Sequence, residues 1–332
     1  MLISKTPFRM SFFGGGTDVK EYYEEYGGAV LSTTFDKYCY VVMRYNPPFF
    51  KYKGILSYSK TETFDNPEEI EHPVVREILK KYKINDLQIM YNADLPARSG
   101  LGSSSAFSVG VLNALHSMRG EFIDKMSLAK EAVYVERVLC KEAGGVQDQL
   151  ACSFGGLNKY TFDRDNFDVT PIIMSRERKN LLNDSLLLFF TGFVRYSAEI
   201  LKDQVSNTKN KTQQLHEMLK LVDEGVNVLT GKGDLNDFGR LLDYTWQLKK
   251  TLSSRISNSG LDEIYDKAKK AGALGGKVLG AGGGGFVIFF VSPDKRKNVI
   301  QALYPLMNVP FEFEKGGTRV IYYKHEKPFS NK

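Results

Sequence analysis

The chain predicts an α+β fold in two parts. Strand-like runs and helix-period segments mingle in both halves rather than alternating as regular βαβ units. Turn residues bound the apolar runs. The length of 332 residues exceeds the ~100–200 of an ordinary single domain.

The elements follow in order. Residues 2–13 and 30–45 are rich in β-branched and aromatic side chains and read as strands, and 87–91 is a short apolar run between turn signals. A helix is expected from Ser103–Ser105 onward, through Ala106, Val109, Leu112 and Leu115. A second is expected over 127–141, where Ala129, Ala132, Val133, Val135 and Leu139 recur at helical spacing. Residues 185–191 open the second half as a strand. Polar helical stretches then cover 197–230, 235–252 and 261–271. A strand (285–291), a helix (293–306) and two short strands (311–314, 318–323) close the chain, and a boundary near residue 180 divides it into 1–180 and 181–332.

Composition excludes several classes. Cys39, Cys140 and Cys152 are scattered, odd in number and without C-x-x-C spacing, which argues against a disulfide framework or structural zinc and fits a reducing cytoplasm. Pro7, Arg9 and Ser11 interrupt any signal-peptide core. The most apolar runs, 186–190 and 286–291, fall far short of the ~20 residues that span a bilayer. The net charge of +6 is a mild excess, consistent with an anionic ligand or with ordinary solvated lysines. The 18 tyrosines and 22 phenylalanines sit mostly in apolar runs, so they read as core and not as a nucleic-acid surface. Subunit number is left open.

Three glycine-rich segments stand out. In Gly14-Gly15-Gly16-Thr17-Asp18, glycines after a strand permit a tight turn, and Asp18 either caps a helix or accepts ligand hydroxyls. Pro96-Ala-Arg-Ser-Gly100-Leu101-Gly102-Ser103-Ser104-Ser105-Ala106 runs straight into a helix. Backbone N–H groups there can face phosphate oxygens, and the helix N-terminus adds about half a positive charge. No Gly-Lys-Ser/Thr follows, so it is not a Walker A loop. The third, residues 275–286, satisfies G-x-G-x-x-G through Gly280, Gly282 and Gly285. A strand follows where a dinucleotide fingerprint needs a helix, so that match is accidental.

Two acids are candidates for chemistry. Glu136 shares a helix face with Ala132, Val133, Leu139 and Cys140, where a carboxylate needs a partner: a magnesium ion or a neighbouring cation. Asp148 lies in a glycine-bracketed turn, either as a cap or as acceptor of a substrate proton. None of the four histidines lies near a glycine segment, which leaves little support for histidine-based catalysis.

In this order and spacing, the segments resemble the GHMP kinases along nearly the whole chain. Residues 96–106 match that family's Pro-x-x-x-Gly-Leu-Gly-Ser-Ser-x-Ala loop, and 277–286 its C-terminal glycine motif. Within the family, residues 6–18, 25–31, 147–149 and 279–286 look like the D-glycero-D-manno-heptose 7-phosphate kinases, with fucokinase domains as near neighbours. The resemblance implies an N-terminal ribosomal protein S5 domain 2-like part and a C-terminal ferredoxin-like part. It implies a cytoplasmic, Mg-ATP-dependent kinase acting on the anomeric hydroxyl of a small sugar phosphate. It assigns ATP phosphates to Gly100, Leu101, Gly102, Ser103, Ser104 and Ser105, Mg2+ to Ser104 and Glu136, proton acceptance to Asp148, and charge stabilisation to Arg9. Gly15, Gly16, Thr17, Asp18, Gly282 and Gly283 are assigned to substrate. Galactokinase-like members read Gly-Glu-His-Thr-Asp where this chain has Gly14-Gly-Gly-Thr-Asp18, which removes contacts to a small hexose and suits a larger sugar.

Overall fold

The computed structural model describes residues 1–164, 166–192, 200, 203, 205 and 208–326. Two sheets organise it. The first is built on β1 (Leu2–Phe13) and the 18-residue β2 (Gly28–Tyr45), antiparallel along most of their length. The far edge of β2 is shared: its second half pairs with β5 (Leu87–Ala93) and its first half with β6 (Leu157–Asp163). β5 carries the parallel β3 (Gly54–Ser57) and then β4 (Thr61–Phe64), while β6 carries β7 (Asn166–Pro171).

The second sheet runs β11 (Met307–Val309), β8 (Leu186–Phe190), β10 (Phe286–Val291), β9 (Ala273–Val278), all antiparallel. Numbered within this half, that is order 4-1-3-2 of a βαββαβ unit, the ferredoxin-like arrangement. Every residue of β10 is buried. Side chains alternate across a strand, so Phe286, Ile288 and Phe290 join the core shared with the first sheet, while Val287, Phe289 and Val291 face a second core with Trp246 and Tyr265.

The chain ends do not respect a division at residue 180. β12 (Phe313–Glu314) pairs with β2, and β13 (Arg319–Tyr323) pairs with the start of β1. The last strands thus complete the first sheet.

Helices mostly match the periodicity: Ser103–Met118, Thr212–Thr230, Asn236–Lys250 and Ser259–Lys270. Of the expected helix 197–230, most of the part before 208 lies outside the described residues. The expected helix over 127–141 is α-helical only at Lys125–Val133 and continues as a π-helix, Tyr134–Leu139. The expected helix 293–306 is a 3-10 turn, Pro293–Lys295, then Arg296–Ala302. Among the described residues, no helix is long and apolar enough to cross a membrane.

Candidate active site

β1 brings Arg9 to the floor of a cavity of about 680 Å³, buried at 4% exposure. Its Nε donates to Asp148 Oδ1 and its Nη2 to Asp148 Oδ2, both at 2.7 Å, and Nη1 donates to the Gly100 carbonyl at 2.6 Å. Asp148 stands in the first turn of the helix Gln147–Phe154. A bidentate fork uses two of the roughly four lone-pair sites on a carboxylate, and the others stay open to a ligand hydroxyl.

The 100–105 loop is held from two sides. The Arg9 amide donates to the Leu101 carbonyl at 3.1 Å, tying the loop to β1. Gly100 and Gly102 have φ of +85° and +75°, a region that favours glycine. A Cβ on Gly280 would lie 2.5 Å from Gly100 Cα, and one on Gly285 would lie 2.2 Å from the Ser99 carbonyl. The second and third glycine segments therefore meet backbone to backbone.

The serines divide their tasks. Ser103 Oγ accepts the Arg98 N–H at 3.1 Å, and Ser105 Oγ donates to Glu136 Oε2 at 3.1 Å. Ser104 is exposed and lines the cavity. Glu136 comes from the π-helix, a local widening common at functional sites. Gln149 Nε2 donates to the same Oε2 at 2.8 Å, whereas Oε1 is buried without a hydrogen bond. Burial raises the Glu136 carboxyl above its usual range.

Asp18, 3% exposed, accepts from the Gly16 N–H at 2.9 Å and from Gln147 Nε2 at 3.0 Å. Burial raises its carboxyl too.

Family models match both halves: GHMP kinases N terminal domain over residues 70–156 and GHMP kinases C terminal over 219–306. A D-glycero-alpha-D-manno-heptose 7-phosphate kinase of Campylobacter jejuni is 30% identical, covering 90% of this chain and 92% of its own. The chain belongs to the GHMP kinases. A galactokinase of Pyrococcus furiosus is 27% identical over 90% of this kinase and 91% of its own length. Among solved structures, a D-glycero-D-manno-heptose 1-phosphate kinase from Bacteroides thetaiotaomicron superposes with TM-score 0.80 at 26% identity, covering 98% of this kinase and 100% of that chain. A mevalonate kinase shares the fold at TM-score 0.72 and 21% identity, covering 94% of this kinase and 99% of that chain.

Of the residues expected to make the site, the fold of this kinase gathers Arg9, Gly15, Gly16, Asp18, Gly100, Gly102, Ser103, Ser104, Ser105, Glu136 and Asp148 around one cavity. Four residues sit differently. Leu101 is buried and offers its carbonyl to β1. Thr17 turns its hydroxyl inward to the Gly14 and Ala29 carbonyls, both at 2.8 Å, and so pins the turn. Gly282 packs on Ile256 and Gly283 donates its N–H to the Ile256 carbonyl at 2.8 Å, both outside the lining, whereas Gly280 and Ala281 face the cavity.

Sequence reasoning missed two groups. Tyr58, His72, Tyr91 and Phe107 line the cavity as an edge-to-face chain with ring centroids 5.0–5.2 Å apart. They come from four separate places in the chain, so no local pattern marks them. The others are Lys249 and Lys277, both buried and lining the cavity. Lys249 donates to the Gly280 carbonyl, and Lys277 Nζ donates to the Phe12 carbonyl at 2.8 Å. Burial, with Arg9 nearby, pushes the Lys249 amine down to about 8.

Proposed function

We propose that the protein transfers the γ-phosphoryl group of ATP to the anomeric hydroxyl of D-glycero-D-manno-heptose 7-phosphate. The product is the 1,7-bisphosphate, a precursor for nucleotide-activated heptose. The observation that carries the reading is the Arg9–Asp148 clasp set against the 100–105 loop in one cavity. The heptose 7-phosphate kinase among the relatives supports the choice of acceptor.

In this reading the loop N–H groups and the Ser103–Met118 helix N-terminus cradle the ATP phosphates. The aromatic group at Tyr58, His72, Tyr91 and Phe107 takes the adenine. Asp18, with Gly15 and Gly16, binds sugar hydroxyls. Asp148 accepts the proton of the attacking hydroxyl, and Arg9 fixes the carboxylate in place and faces the developing charge. Phosphoryl transfer asks the protein mainly for positioning and charge stabilisation.

Magnesium fits the residues present. The unbonded Glu136 Oε1 is a buried acceptor that lacks a donor, and Ser104 lines the same cavity. Ser104 and Glu136 would hold the ion, which neutralises charge on the β- and γ-phosphates when bound.

The test is product analysis. Incubation with ATP and magnesium should convert the heptose 7-phosphate to a bisphosphate by mass spectrometry, with the new phosphorus on C1 by NMR. Conversion of L-fucose or the heptose 1-phosphate instead, at higher kcat/KM, would reassign the acceptor. Absence of transfer to any sugar would leave a non-catalytic sugar-binding protein on the same fold.

A further inference from the structure

Lys249 occupies the last turn of the helix Asn236–Lys250, where a lysine ordinarily reaches into water. Here it is 5% exposed and lines the active-site cavity. Its Nζ donates to the Gly280 carbonyl, while Arg9 Nη1 donates to the Gly100 carbonyl at 2.6 Å. Gly280 and Gly100 are the two glycines whose backbones abut. The two cations therefore bond the carbonyls of the two glycines that make one backbone contact, beside the loop assigned to the ATP phosphates. We propose that Lys249, together with Arg9, binds the phosphoryl group in flight, so that the C-terminal half supplies a catalytic cation. The inference rests on the kinase reading of this cavity.

Charge supports it. Among the described residues, neither Lys249 nor Lys277 has a carboxylate within 4.0 Å; in that set, Arg9 alone is paired, with Asp148. A buried ammonium without a counter-ion is unfavourable, and an arriving phosphoryl group offsets that cost. The lining as a whole balances, with Arg9, Arg98, Arg137, Lys249 and Lys277 against Asp18, Glu71, Glu136, Glu142 and Asp148, but around Lys249 two ammonium groups share Asp18, the one nearby acid that Arg9 does not clasp. Burial, then the neighbouring Lys249, pushes the Lys277 amine well below its usual value, and burial raises the Asp18 carboxyl. Of the three protons on Lys249, one serves Gly280 and two are free to turn to the cavity.

During transfer the acceptor oxygen bonds the γ-phosphorus. The bond from that phosphorus to the β,γ-bridging oxygen breaks, and its electron pair stays on ADP. The hydroxyl proton passes to Asp148. Lys249 keeps its protons throughout and pairs with the γ-oxygens, whose charge is most closely held midway.

The experiment compares Lys249→Met and Lys249→Arg with wild type, on the heptose 7-phosphate and on the unphosphorylated heptose. The Met variant should lose about 10²–10³-fold in kcat on both acceptors, with each KM changed by less than about threefold. The charged groups facing Lys249 are Arg9 from β1, Lys277 from β9 and Asp18 from the turn after β1. The protonated form is required, so wild-type kcat/KM should fall as pH rises through about 8. Arginine should recover part of kcat and move that fall to higher pH. An unchanged kcat in the Met variant would overturn the proposal. So would a loss confined to the phosphorylated acceptor and carried by KM, which would put Lys249 on the acceptor's own phosphate. If wild type phosphorylates no sugar, the acceptor reading fails by itself. Hydrolysis of ATP by water then serves, and equal rates in wild type and Lys249→Met would overturn the role of Lys249.

Discussion

At the residue scale, the pair to perturb is Arg9 and Asp148. The carboxylate of Asp148 is fixed by two 2.7 Å bonds, so its orientation is set before any ligand arrives. Asp148→Asn keeps one acceptor for the guanidinium and nearly the same volume, but cannot take a proton. General-base removal commonly lowers rate by about 10²–10⁴-fold. We expect kcat to fall within that range while ATP affinity, measured by calorimetry, stays within about threefold. Wild-type turnover in a coupled ADP assay would remove Asp148 from the chemistry.

At the element scale, the 100–105 loop depends on the glycine run that supports it. Gly280 has φ +71°, and its missing side chain leaves room for Gly100. Gly280→Ala adds left-handed strain of about 1–2 kcal/mol and drives a methyl into the loop backbone. The ATP KM should rise about tenfold or more, with a lowered melting temperature. Gly120 is the control. It has the same φ of +71°, but a Cβ there meets nothing within 4 Å. Gly120→Ala should lose comparable stability and leave the ATP KM unchanged. Equal KM effects from both variants would show that loop contact is irrelevant. The π-helix works at the same scale: the helix carrying Glu136 widens at Tyr134–Leu139, where the carboxylate meets Ser105 and Gln149.

At the scale of the whole molecule, the two halves share one core. Phe238, fully buried, packs edge-on to Phe12 and Phe13 at 5.2 and 5.0 Å between centroids and lies 6.1 Å from Phe290 of the second sheet. The Lys277 bond to the Phe12 carbonyl crosses the same seam. β13 returns to β1, where Thr318 and Thr6 hydroxyls bond each other at 2.7 Å. Phe238→Ala should lower stability by about 3–5 kcal/mol, as truncation of a buried aromatic does. Urea unfolding followed by fluorescence and by circular dichroism should show one transition, since neither half keeps a complete core alone. Two separated transitions would mean that the halves are stable independently.

Much of this was legible along the chain because it rests on local chemistry. Period-2 and period-3.6 patterns mark the long strands and helices, since one face of each must be buried. Glycine runs mark close backbone approach, and a serine loop opening an apolar helix marks a candidate anion site. Those signals and the family resemblance identified Arg9, Asp18, Ser104, Glu136 and Asp148 as candidates. Only the tertiary structure decided what meets what. Arg9 and Asp148 stand 139 positions apart, and no local pattern pairs them. The third glycine run packs on the 100–105 loop instead of offering Gly282 and Gly283 to the cavity, because the room it provides is for another backbone. Lys249 looks like any lysine near a helix end. Its burial comes from the seam between the halves, and burial is a property of the packed chain that no single segment carries.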